Sequence, residues 1–593
     1  MKTNSAGQVR WDLSDLYSGR EDPRLSADLE ESLARAEALG GRLRGRVASL
    51  SPAELAAAVA EYEAILEQSG RAGTFAYLDW STGTEDPARG ALLARLQEHS
   101  SQLHQRLLFL ELEWAQVDEE RARELLASPD LSHRFWLLLA RRYRPHLLTE
   151  PEEKILAEKG VTGRAAWVRL FEEVHSASRY ELDGESLAQH AVLSRLYRPD
   201  RDQRQRAARA FTTGLQASLR ISSFILNNIL ADKASDDRLR HYPTWIAARH
   251  LDNQIDEATV QALVQAVTGR YDIVARYYRL KRRLLGLVEL ADYDRYAPLP
   301  AADRQFAWAE ACRLVEEAYA GFHPELGRIA RTFMDRRWID AAPAPGKRGG
   351  AYSHGAVPSA HPYVFLNFEG TPRDVMTLAH ELGHGAHQYL SRRQGLLLAD
   401  TPLTTAETAS VFGEMLAFQS LLSRERDPAA RLALLVAKIE DSFATVFRQT
   451  AMNRFEEAIH GARRTEGELA ASRFGELWRQ TQEAMFQGSV TLTEDYTVWW
   501  SYIPHFLHSP GYVYAYAFGE LLVLALYARY RETGEAFPPL YLELLSAGGS
   551  AWPEELLQPL GVDLKNPGFW AKGLGMLEEM VRQAEELAAA GPA

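Results

Sequence analysis

The first part of the chain carries its apolar positions at helical spacing and reads almost entirely as helix. Ser51-Pro-Ala-Glu54 is a capping box with Pro at the first helical position, and it opens a long Ala/Leu/Glu helix. Thr149-Glu-Pro-Glu152 opens another. RYELDGESLA, from Arg179, predicts a short β-hairpin turning at Asp183-Gly184. The charged run from Tyr197, YRPDRDQRQRAARAF, reads as a helix start and a domain seam, giving regions 1–198 and 199–593. An amphipathic helix follows Asp256, and DYDRYAPLP, from Asp292, reads as a non-helical connection.

The pattern then changes. AAPAPGKRGGAYSHG, from Ala341, is Pro- and Gly-rich and reads as a loop. HPYVFLNFEG, from His361, alternates around Val364, Leu366 and Phe368 and is the best strand in the sequence. It is either a plain structural strand or one that pairs with an extended peptide beside a site. Next comes an amphipathic helix with Thr371 as N-cap, Pro372 at its first position and Asp374 completing a capping box. Val375, Leu378, Leu382, Ala386, Tyr389 and Leu390 form its apolar face, and Gly395 can close it. The longest apolar stretch, Tyr512 to Ala528, contains Glu520 and is short for a membrane span, so it reads as a buried helix.

Composition narrows the class. At 593 residues, the chain exceeds one ordinary core. Its formal charge of −13 argues against a dedicated nucleic-acid or anionic-membrane binder. Cys312 is the only cysteine, which excludes an internal disulfide and a Cys-rich zinc site. The N-terminal stretch has no apolar signal-peptide core, and the expected location is cytoplasmic.

The candidate chemistry lies on the amphipathic helix after the strand. His380, Glu381 and His384 spell His-Glu-x-x-His. Residues four apart share a helix face, so both imidazoles can reach one metal ion, with Glu381 placed as a general base for a water. A third ligand is needed. Glu407 follows in TTAETASVFGEMLAF, far enough on for a returning helix to bring its carboxylate back. Thr404-Thr-Ala-Glu407 also fits a capping box, so Glu407 is either a ligand or a helix-start acid. Glu414 is either a hydrogen-bond acceptor for a ligand histidine or an ordinary helix Glu. His387 shares the face of the histidine pair but sits one turn further along, which suits lining rather than ligation.

A second cluster lies in WWSYIPHFLHSPGYVYAYAFGE, from Trp499. His505, His508, Tyr512, Tyr514 and Tyr516 are either aromatic packing or donors to an oxyanion and a substrate backbone.

These motifs, taken together, resemble the thimet-type zinc oligopeptidases, and within them the bacterial oligoendopeptidase F group. The resemblance is carried by WDLSDLY at Trp11, YDRYAPL at Tyr293, GKRGGAYS at Gly346, HPYVFLNFEGTPRDVMTLAHELGHGAH, AETASVFGE, FRQTAMNRFE at Phe447 and IPHFLHSPGYVYAYAFGE. It implies a mostly α, two-lobed helical metallopeptidase fold with a deep substrate channel and a small β-sheet beside the His-Glu-x-x-His helix. It implies one zinc ion per chain on His380, His384 and Glu407, Glu381 as general base, and His505 and Tyr512 as oxyanion donors. Tyr514, Tyr516, Val364, Leu366 and Phe368 are the expected substrate contacts. One departure is Gly511, where the family pattern leads us to expect a bulky aromatic; His508 is a second candidate for the oxyanion histidine.

The expected activity is hydrolysis of internal bonds in short peptides. Two alternatives stand beside it. A metallocarboxypeptidase of similar fold would need a cationic clamp, for which Lys347 and Arg348 are available. A non-catalytic peptide-binding protein would have no use for Glu381.

Overall fold

The computed structural model describes residues 6–299 and 304–590. The chain is mostly α-helical, as its periodicity predicts, with five short strands in two small sheets among the described residues. It divides into two compact units, each assembled from three stretches of chain. The first unit takes Met1–Arg144, Asp303–Arg424 and Arg529–Val562; the second takes Pro145–Ala302, Glu425–Ala528 and Asp563–Ala593.

In the first unit, the helices Pro23–Leu43, Pro52–Ser81 and Pro87–Gln116 pack through Leu39, Ile65, Leu107, Leu110 and Trp114. The Ser51 capping box is formed. A second apolar cluster joins Trp11, Tyr17 and Phe75 to Tyr363 and Phe365 of a sheet.

The hairpin of the second unit is strands β1 (Tyr180–Leu182) and β2 (Glu185–Leu187). Asp183 and Gly184 both have positive φ, which gives the turn the hand that suits twisted strands. The sheet of the first unit comprises β3 (Ile339–Asp340), β4 (Tyr352–His354) and β5 (Tyr363–Phe365) in the order β3-β5-β4. Strand β5 holds Val364 and is the middle strand, not an edge. The Val364, Leu366 and Phe368 amides donate to Trp338, Asp340 and Ala341, and all three side chains are buried. Strand β4 lies within the segment that composition marks as loop, and it forms one edge of the sheet.

That loop is pinned rather than free. The Lys347 ammonium is buried over the Phe365 ring, 2.7 Å from Asp340 Oδ1, and also bonds the carbonyls of Ala342 and Leu366. The buried charge is satisfied by its partners. Lys347 is therefore a staple and has no free charge to clamp a peptide terminus.

In the second unit, the charged run from Tyr197 leads into the helix Arg201–Leu239, with Asp200 as its N-cap. Arg201 and Arg204 both bond the buried Asp294 carboxylate. Residues Asp292–Tyr296, expected to be non-helical, form a short 3₁₀ turn. Tyr514–Thr533 is a buried helix, and no helix among the described residues is long and apolar enough to cross a membrane.

Candidate metal centre and aromatic cluster

The His-Glu-x-x-His segment lies in the helix Pro372–Ser391, whose Thr371–Asp374 capping box and Pro372 start are as the sequence predicts. It continues through a 3₁₀ turn to Gly395, where φ is +81°. The helix packs on Thr408–Arg424, and small residues make the approach possible. Gly383 faces the backbone of Ala409 and Ser410, while Gly385 receives the ring of Phe333. The buried Tyr319 hydroxyl donates to the Ala379 carbonyl, next to His380.

This packing brings Glu407 back to the histidines. Glu407 does not open a helix through a capping box. It follows a short helix, Leu403–Ala406, and precedes Thr408–Arg424. Its Oε2 lies 3.5 Å from His380 Nε2 and 3.4 Å from His384 Nε2. Ser410 Oγ donates to the same oxygen at 2.6 Å, and the Tyr541 hydroxyl donates to the Thr408 carbonyl at 2.8 Å. The sequence reading missed Ser410; its position three residues after Glu407, in the first turn of the next helix, was the available signal.

The three groups fit a metal ion. Their ligand atoms all lie within 4.8 Å of one another, and no other His, Cys, Asp or Glu trio among the described residues converges this way. Two ligands about 2.0–2.1 Å from a tetrahedral zinc ion stand roughly 3.3 Å apart, close to the separations found. His380 Nδ1 lies 3.3 Å from Glu414 Oε2, so Glu414 can hold the ring with Nε2 toward the trio.

Electrostatics agrees with this geometry. Burial opposes a charge on His380, but its Glu414 bond and the charges of Glu407 and Glu381 outweigh burial and hold it up at about 9. Burial alone would raise Glu407; the bond to His384 and both imidazoles bring it down to about 2. The trio is thus a site for positive charge. Burial raises the Glu381 carboxyl, with His380 and His384 acting against it. His387 is buried, which drives it down to about 4, with His384 adding to the effect. A cleft of about 490 Å³ opens on His380, Glu381, His384 and His387, and is also lined by Tyr352 and Ser353 at the β4 edge.

The later cluster belongs to the second unit. His505, Tyr512 and Tyr516 come together, half-buried, with His505 Nε2 3.3 Å from the Tyr516 hydroxyl and the two tyrosine rings 5.1 Å apart. His508 is exposed and faces Glu172 at 3.4 Å. Burial lowers His505, and His508 and Arg448 push the same way, which favours a neutral imidazole. Tyr514 is fully buried, and its hydroxyl is shared with His250 at 3.0 Å and Asn253 at 2.8 Å.

Gly511 has φ +75°, and a Cβ there would stand 3.1 Å from Ile246, so its side of the loop has no room for a bulky aromatic. Its amide donates to Glu456 Oε1 at 2.8 Å. Glu456 is buried, and desolvation pushes its carboxyl up to about 8. Arg249 lies over the Tyr512 ring at 5.8 Å. Glu456 closes the FRQTAMNRFE motif but was given no role from it, and no motif signalled Arg249. The hint was a polar run, Gln449, Asn453, Glu456 and His460, at helical spacing on one face of a half-buried helix.

Comparison with known proteins supports the same reading. Residues 194–576 match peptidase family M3, and residues 113–180 match Oligopeptidase F. Oligopeptidase PepF of Bacillus subtilis is 27% identical over 560 residues, covering 92% of this chain and 82% of that protein. An oligoendopeptidase F homolog of Lactococcus lactis is 28% identical over 476 residues, covering 79% and 78%. The crystal structure of oligoendopeptidase-F from Enterococcus faecium superposes with a TM-score of 0.70 at 22% identity, covering 95% and 98%, a likeness of fold. With its helical fold, its His-Glu-x-x-His helix and a family match through most of its length, the chain is a peptidase of family M3, in the oligoendopeptidase F group.

Proposed function

We propose that this peptidase is a zinc-dependent endopeptidase that cleaves internal bonds of short peptides. The observation that carries the reading is the convergence of His380 Nε2, His384 Nε2 and Glu407 Oε2 beside a cleft that Glu381 also lines. A zinc ion held there would supply a Lewis acid and lower the pKa of a water. Glu381 would take a proton from the attacking water and pass it to the leaving amine, a role suited to a buried carboxyl of raised pKa. His505 and Tyr512 would donate to the developing oxyanion, with Tyr516 beside them; their grouping in the second unit and the family resemblance support this assignment.

The β4 edge, which meets the same cleft, is the better candidate to align a peptide backbone, since the β5 amides are already bonded. The satisfied Lys347 counts against a carboxypeptidase clamp. The single cysteine, Cys312, fits a cytoplasmic setting. Peptides blocked at both ends, incubated with and without a chelator, test the reading by product mass. We expect internal cleavage that the chelator stops. Trimming confined to free C-termini would overturn it in favour of a carboxypeptidase, and no zinc-restorable hydrolysis would leave only a binding protein.

A further inference from the structure

A second cavity, of about 240 Å³, lies wholly within the second unit and shares no residue with the metal trio. One wall is a π-helical turn, Ala444–Arg448, set between the helices Pro428–Phe443 and Gln449–Glu466. Such a turn inserts a residue into the helix and recurs at functional sites. Here it supplies Arg448 to the cavity. The 3₁₀ turn Asp292–Tyr296 supplies Arg295 and Tyr296.

Neither guanidinium is matched by an acid. Among the described residues, Arg448 makes no hydrogen bond or ion pair, and its Nε is shut off from solvent with no partner. Arg295 is 6% exposed. Its Nε donates to the Asp292 carbonyl at 2.9 Å, and its Nη2 donates to the hydroxyls of Tyr296 and Tyr496 at 3.3 and 3.2 Å. No carboxylate among the described residues pairs with it. Stacking over Tyr296, Phe486 and Tyr496 offsets part of the burial cost. Two acids also line the cavity, Glu440 and Asp441. Glu440 is taken by the buried Lys281 and by Tyr277. Lys281 answers Glu440, and the buried Asp292 carboxylate acts on Arg295 without forming an ion pair with it, so Arg448 is the guanidinium left with no carboxylate on it.

The rest of the wall is apolar or aromatic, including Val274, Tyr278, Phe443, Phe447 and Phe486. An inorganic ion would waste that surface, and a dianion would face both acids. A carboxylate suits the planar guanidinium donors. The volume equals roughly eight waters at about 30 Å³ each, enough for one amino-acid residue. We propose that this cavity binds a monocarboxylate on an apolar body about one residue long, with Arg448 and Arg295 holding the carboxylate and the aromatic wall the body. Two sources share that chemistry: the C-terminal residue of a peptide being processed, which rests on the function proposed above, and a free small carboxylate, which does not.

Calorimetric titration of N-acetyl-phenylalanine and its amide into the full-length, zinc-loaded protein tests the site without reading hydrolysis. We expect saturable binding of the acid and at least tenfold weaker binding of the amide. Arg448→Gln should weaken the acid at least tenfold, with partial recovery in Arg448→Lys. Matched peptides with free and amidated C-termini then separate the sources. A KM raised by Arg448→Gln for free ends only, with kcat kept, identifies the peptide terminus. An unchanged KM beside lost acid binding identifies a free carboxylate. Equal binding of acid and amide, no saturable binding of the acid, or an acid affinity indifferent to both Arg448 variants overturns the proposal. Failure of hydrolysis itself would count against the endopeptidase reading and leave the titration intact.

Discussion

Gly383 approaches Ala409 so closely that a Cβ built on it would stand 2.4 Å from the Ala409 carbonyl oxygen. The glycine in the middle of the His-Glu-x-x-His motif therefore sets the helix spacing that returns Glu407 to the histidines. Gly383→Ala must push the helix Thr408–Arg424 away. We expect a loss of roughly 1–3 kcal/mol in stability, as for other overpacked interiors, and weaker zinc retention. Denaturant midpoints and zinc titrations report the two effects; an unchanged zinc affinity would show that the close approach does not position Glu407.

Glu381 lines the cleft but is not one of the three converging ligands. Glu381→Gln should keep zinc at one ion per chain and lower kcat by at least about a hundredfold, the usual reach of a general base. Metal content by mass spectrometry and initial rates on one peptide decide it. A variant with full activity would exclude Glu381 as the base.

The contact between His380 Nδ1 and Glu414 Oε2 fixes a ring rather than a metal. Glu414→Ala should weaken zinc binding about 10–100-fold while leaving the ligand set complete. Glu414→Gln, which can still accept a hydrogen bond, should recover part of the loss. Competition with a chromogenic chelator measures both variants, and equal affinities for Glu414→Ala and the unaltered protein would make Glu414 an ordinary helix residue.

Burial pushes Glu456 up to about 8, well above the ordinary 4.5 expected of the unfolded chain. Between those values the folded state binds the extra proton, so stability falls as pH rises through the window and levels off above it. Glutamine keeps an acceptor for the Gly511 amide and has no proton to lose. Glu456→Gln should therefore flatten the slope between pH 5 and 8, by up to about 1.4 kcal/mol per pH unit. Urea midpoints at four pH values test this, and parallel curves for the two proteins would refute it.

Much of the motif helix was legible in the sequence, because capping and periodicity act within a few residues. Thr371, Pro372, Asp374 and the apolar face gave both its start and its orientation. Glu407 was legible only as a choice, since a ligand and a capping acid leave the same local pattern. The sheet was harder. Strand β3 has two residues, too few to alternate, and its pairing with β5 leaves the Val364 strand no open side for an extended peptide. Lys347 in a Gly-rich loop looks exposed; its burial depends on Asp340 and the Leu366 carbonyl meeting at one point. The cradle around Gly511 joins residues 249 and 456 to residue 511, and no short-range signal links such distant positions.

The interleaved segments have a consequence for how the molecule is made. The first unit lacks its last piece, Arg529–Val562, until synthesis has passed residue 562. Tyr541, whose hydroxyl braces the backbone beside Glu407, emerges about 150 residues after the motif helix ends at Ser391. At 5–20 residues per second that is a delay of roughly 8–30 s. The unit that carries the His380, His384 and Glu407 trio is thus finished only after most of the second unit's chain has been made, and no contiguous stretch of the sequence contains it whole without the second unit's chain running through it.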